Sequence, residues 1–394
     1  MSLIYKSARG RFILLRALNL QRKKRGKMDI LTKFIILCFL ATGLALAKEP
    51  PNPVDGRESI SADALISQKE DGVWETPLQM AEFPFEEAIY SWNAQLPADE
   101  GFRLYIRIGT GEQNLSPWIY AGFWGKVKPR AENITTSFED GKILYDHILL
   151  KNKATAYQFR VESEGDKKLS VLPSLQFVYT DNYPSTDTLK KAESKKVKKE
   201  QGPVLDIPFR SQLDSKGNYI KDTCQSAALA AALEYFGKKV NLEEITPGTY
   251  DSEYSMYGIW PRVLATAAQM GFKSYIDRFR DWDYVRATLA ENKVILASIT
   301  MPREGDYKDP PYPSMGGHII VLNGVTKDGR AIVTDSAISK RNKGYRLQWL
   351  LPDFEKVWMK NKGGVGMVIC PLKDSVLKEV KYLPRFKSYK KEKE

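Results

Sequence analysis

Four residues in the C-terminal half have the types and the order that acyl-transfer chemistry requires. They are Gln212 in PFRSQLD, Cys224 in KDTCQSAALAAALEYFG, His318 in MGGHIIVLNG and Asp335 in AIVTDSA. The segment SAALAAALEYFG is rich in Ala and Leu and stops at Gly237, so it predicts a helix with Cys224 in the first turn. Unpaired backbone N–H groups and the helix dipole favour a thiolate at such a position. A neighbouring histidine takes the proton as an imidazolium and can return it to a leaving amine. The ring then needs a third group to hold it. Asp335 follows His318 closely enough for the two to sit side by side on antiparallel strands. The amide of Gln212, just upstream of the helix, could complete an oxyanion hole with the Cys224 backbone N–H. Each residue alone is a weak signal, since a cysteine at a helix start is commonly a small packing residue. The ordered set of four is the specific one.

Other chemistry is less well supported. The chain has two histidines, and His147 in YDHILL reads as an imidazole on a strand with no reactive neighbour in sequence. No Cys-x-x-Cys spacing exists for a metal, and KNKGGVGM lacks the Gly-Lys-Ser/Thr ending that engages nucleotide, so no metal and no cofactor are expected. Of three cysteines, Cys38 lies in an apolar run near the N-terminus, leaving Cys224 and Cys370. A disulfide scaffold is thereby excluded, though a single bridge between these two is one alternative.

The elements that must position the four residues follow from pattern. WPRVLATAAQMG and WDYVRATLAEN predict two further helices. VILASIT, HIIVLNGVT, AIVTDSA, YRLQWL and GVGMVIC predict strands. Helices first and strands afterwards give an α+β domain over residues 204–383. The Pro-, Tyr- and Gly-rich stretch MPREGDYKDPPYPSMGG, at 301–317, reads as a lid leading into His318. Residues 73–183 instead carry short alternating runs such as FRLYIRIGT, SPWIYAGFW and SLQFVYT, which predict an all-β sandwich. Its Trp92, Trp118 and Trp124 could present a sugar platform for a cell-surface polymer; core packing is the plainer reading.

The net charge of +12 invites a nucleic-acid reading, but its location argues against one. Residues 1–47 hold ten Lys or Arg against Asp29 alone, followed by the apolar FIILCFLATGLALA and the small-x-small end Ala45-Leu46-Ala47. This is the pattern of a secretory signal, with Met1 or Met28 as the start and cleavage expected after Ala47. The apolar run is shorter than the roughly 20 residues a spanning helix needs, so no membrane span is expected in the mature chain. Residues 48–72 read as a flexible lead-in, while 184–203 read as a Lys-rich linker and 384–394 as a basic tail, both solvated.

From IPFRSQLD through DTCQSAALAAALEYFG and YGIWPRVLATAAQMGFKSYIDRF to GGHIIVLNGVTKDGRAIVTDSA, the chain resembles the papain-like cysteine peptidases of the bacteriocin-processing type, family thirty-nine, in a stand-alone secreted form. The region with SWNAQLP and FRLYIRIGT resembles the domain that accompanies some secreted bacterial members. The resemblance implies a papain-like fold, a peptide or protein substrate, and the roles of nucleophile for Cys224, general base for His318, ring orienter for Asp335 and oxyanion donor for Gln212. Two positions depart from the family pattern. Gln225-Ser226 stands where Gly-Pro is common, and Ser336 follows Asp335 where Pro is common. A bulky Gln225 is expected to narrow the cleft. The alternative is therefore a catalytically silent papain-like protein that binds a peptide or a cell-surface polymer.

Overall fold

A computed structural model describes residues 53–372 except 69, 129–135, 165–167, 195–201 and 339–340. The expected signal segment and basic tail lie outside the described residues, as does part of the linker.

The N-terminal region is a ten-stranded antiparallel sheet. Its strands are β1 Val54–Ile60, β2 Ile66–Ser67, β3 Val73–Glu75, β4 Gln79–Asn93, β5 Gly101–Gly109, β6 Ile119–Gly125, β7 Ser137–Phe138, β8 Gly141–Leu144, β9 His147–Ser163 and β10 Ser174–Asp181. Period-two patterning drives them. In β5, Phe102, Leu104, Ile106 and Ile108 are buried while Arg103, Tyr105 and Arg107 alternate toward the surface. All ten strands are hydrogen-bonded into one sheet, where two separate packed sheets were expected. The cause is the length of β4 and β9, 15 and 17 residues. The β4–β9 ladder shifts register between Met80 and Phe85 and again between Phe85 and Glu87, and such irregularities let a long strand turn a corner without ending its ladder.

The structure corrects two further readings of this region. The lead-in is ordered from Val54, because β1 pairs along its whole length with β10. Its charged residues find partners in the second region: Asp55 with Arg280 and Arg57 with Asp277. The first half of the Lys-rich linker forms helix α1, Thr186–Ser194, with Leu189 and Ala192 packed on the sheet. Trp92 and Trp124 are fully buried. Trp118 lies under the guanidinium groups of Arg107 and Arg160, at 4.6 and 4.4 Å. Core packing therefore accounts for the first two tryptophans and cation–π stacking for the third.

The C-terminal region combines helices α2 Cys224–Tyr235, α3 Leu242–Thr249, α4 Trp260–Gln269 and α5 Trp282–Ala290 with six antiparallel strands. These are β11 Phe272–Arg278, β12 Val294–Met301, β13 Met315–Val325, β14 Arg330–Thr334, β15 Leu347–Leu350 and β16 Val365–Pro371, ordered β11-β16-β12-β13-β14-β15. Helix α2 is buried nearly all round, as its Ala-rich composition allows, and packs on β13. The extended segment at Leu205 bonds to Asn323 of β13 through both backbone and side chain, at 2.8 and 3.0 Å.

The two regions share a polar, well-bonded contact. Asn93 donates to the Ser274 carbonyl at 2.6 Å. The Gln269 amide brackets Leu96, donating to its carbonyl and accepting from its N–H. Asp55, Arg57 and Glu87 of the first region meet Arg280, Asp277 and Arg278 of the second.

Candidate active site

Cys224 opens α2 with Thr223 as its N-cap residue; the Thr223 hydroxyl turns back to the Ile220 carbonyl, 2.7 Å away, and does not cap the helix. The sulfur is therefore carried on the end of a rigid, buried helix where backbone N–H groups are unpaired. In the resting arrangement the thiol donates to the Gln225 side-chain carbonyl at 3.5 Å.

His318 stands in β13 opposite Ile299 of β12, and Asp335 directly follows β14, the next strand. The structure brings the two together: His318 Nε2 and Asp335 Oδ1 are 2.7 Å apart, and both side chains are almost wholly buried. Asp335 also accepts from the Ala337 N–H at 2.9 Å and from the Tyr312 hydroxyl at 3.4 Å. With Nε2 committed, Nδ1 is the ring nitrogen left for Cys224. Burial alone would lower the imidazole pKa, but the charge and hydrogen bond of Asp335, reinforced by the Cys224 side chain, push it up to about 10. The ring thus favours the imidazolium form.

Gln212 is buried beside these groups. Its Nε2 donates to Ser336 Oγ at 3.4 Å, its Oε1 accepts from the Tyr219 hydroxyl at 3.4 Å, and its backbone carbonyl accepts from the Ile220 N–H at 2.9 Å. Ser336, noted in sequence as a departure, is thus a hydrogen-bond partner of the amide. Gln225, expected to crowd the cleft, is 1% exposed and turned inward beside the sulfur. Gly316 and Gly317 are exposed, and a Cβ at either would meet no atom within 4 Å, so the approach to His318 is open on that side.

The stretch at 301–317 is tied down rather than loose. The N–H groups of Lys308 and Asp309 donate to the buried Asp353 carboxylate at 3.0 and 2.9 Å, and the Asn361 amide holds the Thr300 carbonyl and the Tyr307 hydroxyl. This loop supplies Tyr312, a site residue that the sequence reading passed over. Its ring meets Trp349 edge-on, and burial together with Asp335 and Cys224 raises its hydroxyl pKa far above the ordinary value. A lone tyrosine between two prolines gave no signal of its own.

His147 is far from this chemistry. It lies between Glu87 and Arg278, 3.2 Å from each, and burial foremost lowers its pKa, so it reads as a neutral structural ring. Cys224 and Cys370 are both free, which removes the bridged alternative. Cys370 instead points its sulfur at the Lys273 carbonyl, 3.6 Å away. Among the described residues no cluster of His, Cys, Asp and Glu could hold a metal ion, and no helix is long and apolar enough to cross a membrane.

Residues 204–365 match the sequence pattern of the Peptidase_C39 like family, and residues 42–179 match that of the Peptidase C39 N-terminal domain. Among solved structures, a C39-like peptidase from Bacillus anthracis is similar at 12% identity and TM-score 0.33, over 44% of this chain and 98% of that one. The peptidase domain of Streptococcus ComA, a bi-functional ABC transporter involved in a quorum-sensing pathway, is similar at 13% identity and TM-score 0.27, over 39% of this chain and 96% of that one. No curated protein matches the chain.

Proposed function

Because the chain belongs to the C39-like cysteine peptidases and carries that family's N-terminal domain, we propose that it cleaves peptide bonds with Cys224 as nucleophile, His318 as proton carrier, Asp335 as the group orienting the ring and Gln212 in the oxyanion hole. The observation that carries this reading is the buried His318 ring, held at 2.7 Å by Asp335 and with its own pKa raised by Asp335 and by Cys224. A cysteine on a helix and a histidine on a strand support a papain-like reading of the site.

In the first half-reaction the thiolate attacks the peptide carbonyl carbon, forming a C–S bond as the carbonyl electron pair moves to oxygen. The oxyanion is met by the Cys224 backbone N–H and the Gln212 amide, whose bond to Ser336 is long at 3.4 Å and readily given up. Collapse restores the C=O bond and breaks the C–N bond, and the amine leaves with the His318 proton. In the second, His318 takes a proton from water, whose oxygen attacks the thioester carbonyl. Breaking the C–S bond releases the carboxylic acid, which keeps the second water proton, and regenerates the thiolate beside the imidazolium that the first water proton has already restored.

The buried Gln225 removes the steric motive for the silent reading, since it does not stand over the cleft. The same proposal has the enzyme exported, on the signal-like pattern of residues 1–47. Sequencing the secreted protein tests that part: the expected first residue is Lys48, and a chain retaining Met1 or Met28 would overturn it. For the chemistry, His318→Ala is expected to abolish peptide turnover while leaving the protein folded; undiminished turnover in that variant would refute the assignment.

A further inference from the structure

Gln225 combines three observations. It directly follows Cys224 in sequence, its side chain is 1% exposed, and its Oε1 lies 3.5 Å from the Cys224 sulfur. The other end of the same amide, Nε2, is buried without a hydrogen-bond partner among the described residues. A buried, unpaired NH2 group is costly, and a long polar side chain is a poor choice for a site that needs only packing. The amide ends are nearly equal in size, so half a turn about the last side-chain torsion exchanges Oε1 and Nε2 with little steric change.

We infer that Gln225 is a positioning residue for the nucleophile, its amide offering the carbonyl to the neutral thiol and turning to donate N–H to the thiolate. The chemistry of the two ends requires the turn. A carbonyl oxygen accepts from S–H but repels a sulfur anion, whereas N–H donates to the anion and meets only a weak acceptor in the neutral thiol. The orphaned Nε2 then acquires a partner at the moment the sulfur is charged. The carbonyl, which tolerates an unfilled lone pair better than NH2 tolerates an unused donor, takes its place. This gives the sulfur a donor that does not depend on His318. A side-chain amide here performs a task that a glycine at the same position could not. The inference deepens the peptidase proposal and rests on it for the identity of the nucleophile.

The test compares the full chain with Gln225→Met, which keeps length and removes the donor, and Gln225→Glu, which puts an acceptor beside the sulfur. Iodoacetamide labelling of Cys224, followed by mass spectrometry, needs no substrate. The Met variant is expected to label about tenfold more slowly at pH 6 and at the parental rate at pH 9.5, the gain from one charge-assisted hydrogen bond. The Glu variant is expected to label more slowly still at pH 6. On a cleaved peptide, kcat falls by a similar factor with KM unchanged, and thermal unfolding of the Met variant stays near the parental midpoint. Parental labelling of the Met variant at pH 6 would overturn the inference and make Gln225 a packing residue. An equal slowing at both pH values would overturn it too, as the mark of altered access. The peptidase reading fails separately, through absence of turnover by the parent or indifference of its labelling to His318→Ala.

Discussion

The carboxylate of Asp146 accepts the backbone N–H of Trp260 at 2.7 Å, across 114 residues of sequence. Asp146 belongs to the turn between β8 and β9, and Trp260 opens α4, whose own N-cap residue, Ile259, has no side chain able to cap it. The N-terminal sheet therefore supplies the acceptor that the helix N-terminus lacks. The two regions are thereby joined by a capping hydrogen bond as well as by packing.

This contact is pH-dependent. Burial raises the Asp146 pKa to about 7, against the lowering effects of the Trp260 N–H and of Lys362, while Asp251 pushes it further up. A carboxyl raised from 3.8 takes up a proton on folding between about pH 4 and 7, so stability falls as pH rises through that window. Asp146→Asn keeps an acceptor for Trp260 and removes the titration. Urea unfolding at pH 5 and pH 8 is expected to show a smaller loss in the variant, the difference being at most about 3 kcal/mol. Equal losses in the two proteins would contradict the assignment.

The charged contact between the regions gives a second prediction. The Asp55 side chain is 1% exposed and accepts two hydrogen bonds from Arg280, at 2.8 and 3.0 Å. Burial opposes its charge, but Arg280 and then Arg57 and Arg278 hold its pKa below the ordinary value. Asp55→Ala leaves a partly buried guanidinium unpaired and is expected to cost about 3–5 kcal/mol in chemical denaturation. A change under ~1 kcal/mol would mean that solvent or another acceptor replaces the carboxylate.

Trp92 provides a third. It is buried, and its ring lies against Gly122, where φ is +137° and an added Cβ would come within 2.8 Å of the indole. Gly122→Ala is expected to destabilise the chain by about 1–3 kcal/mol through overpacking, with further cost from the backbone conformation. Trp92→Ala is expected to cost about 3–5 kcal/mol. A surface sugar platform would tolerate both, so unchanged melting temperatures would revive that reading.

The elements that carry the candidate site could be read from sequence because their signals are local. Cys224 at the head of an Ala-rich helix and His318 at a strand after two glycines need no tertiary information, and each predicted strand of the C-terminal region from VILASIT to GVGMVIC is present. Helix α3 was missed because Pro247 and Gly248 disguise it, although Asn241 and Glu244 form a capping box at its start. Strand β11 was missed because its KSYIDR sequence is charged, and those charges are answered by residues of the other region. Strand β1 was hidden by the Pro-, Asp- and Ser-rich, aperiodic composition of the segment that holds it. Tyr312 and the inward turn of Gln225 depend on packing between distant segments, which no window of sequence contains.

The imidazolium predicts its own pH signature. A histidine pKa raised from 6.5 to about 10 contributes stability that is complete below pH 6.5 and is lost as pH rises through 10. Asp335→Asn removes the largest favourable cause, so the variant is expected to be less stable than the parent at pH 6 and to approach it at pH 10.5. A constant difference across this range would show that Asp335 acts on His318 through packing alone.

The central claim is that Cys224 cleaves peptides. Its most direct test is incubation of the purified mature chain with a diverse peptide library, read by mass spectrometry beside Cys224→Ser. The account predicts new termini from the parent and none above background from the variant. Absence of cleavage by the parent, or equal cleavage by both, would contradict it.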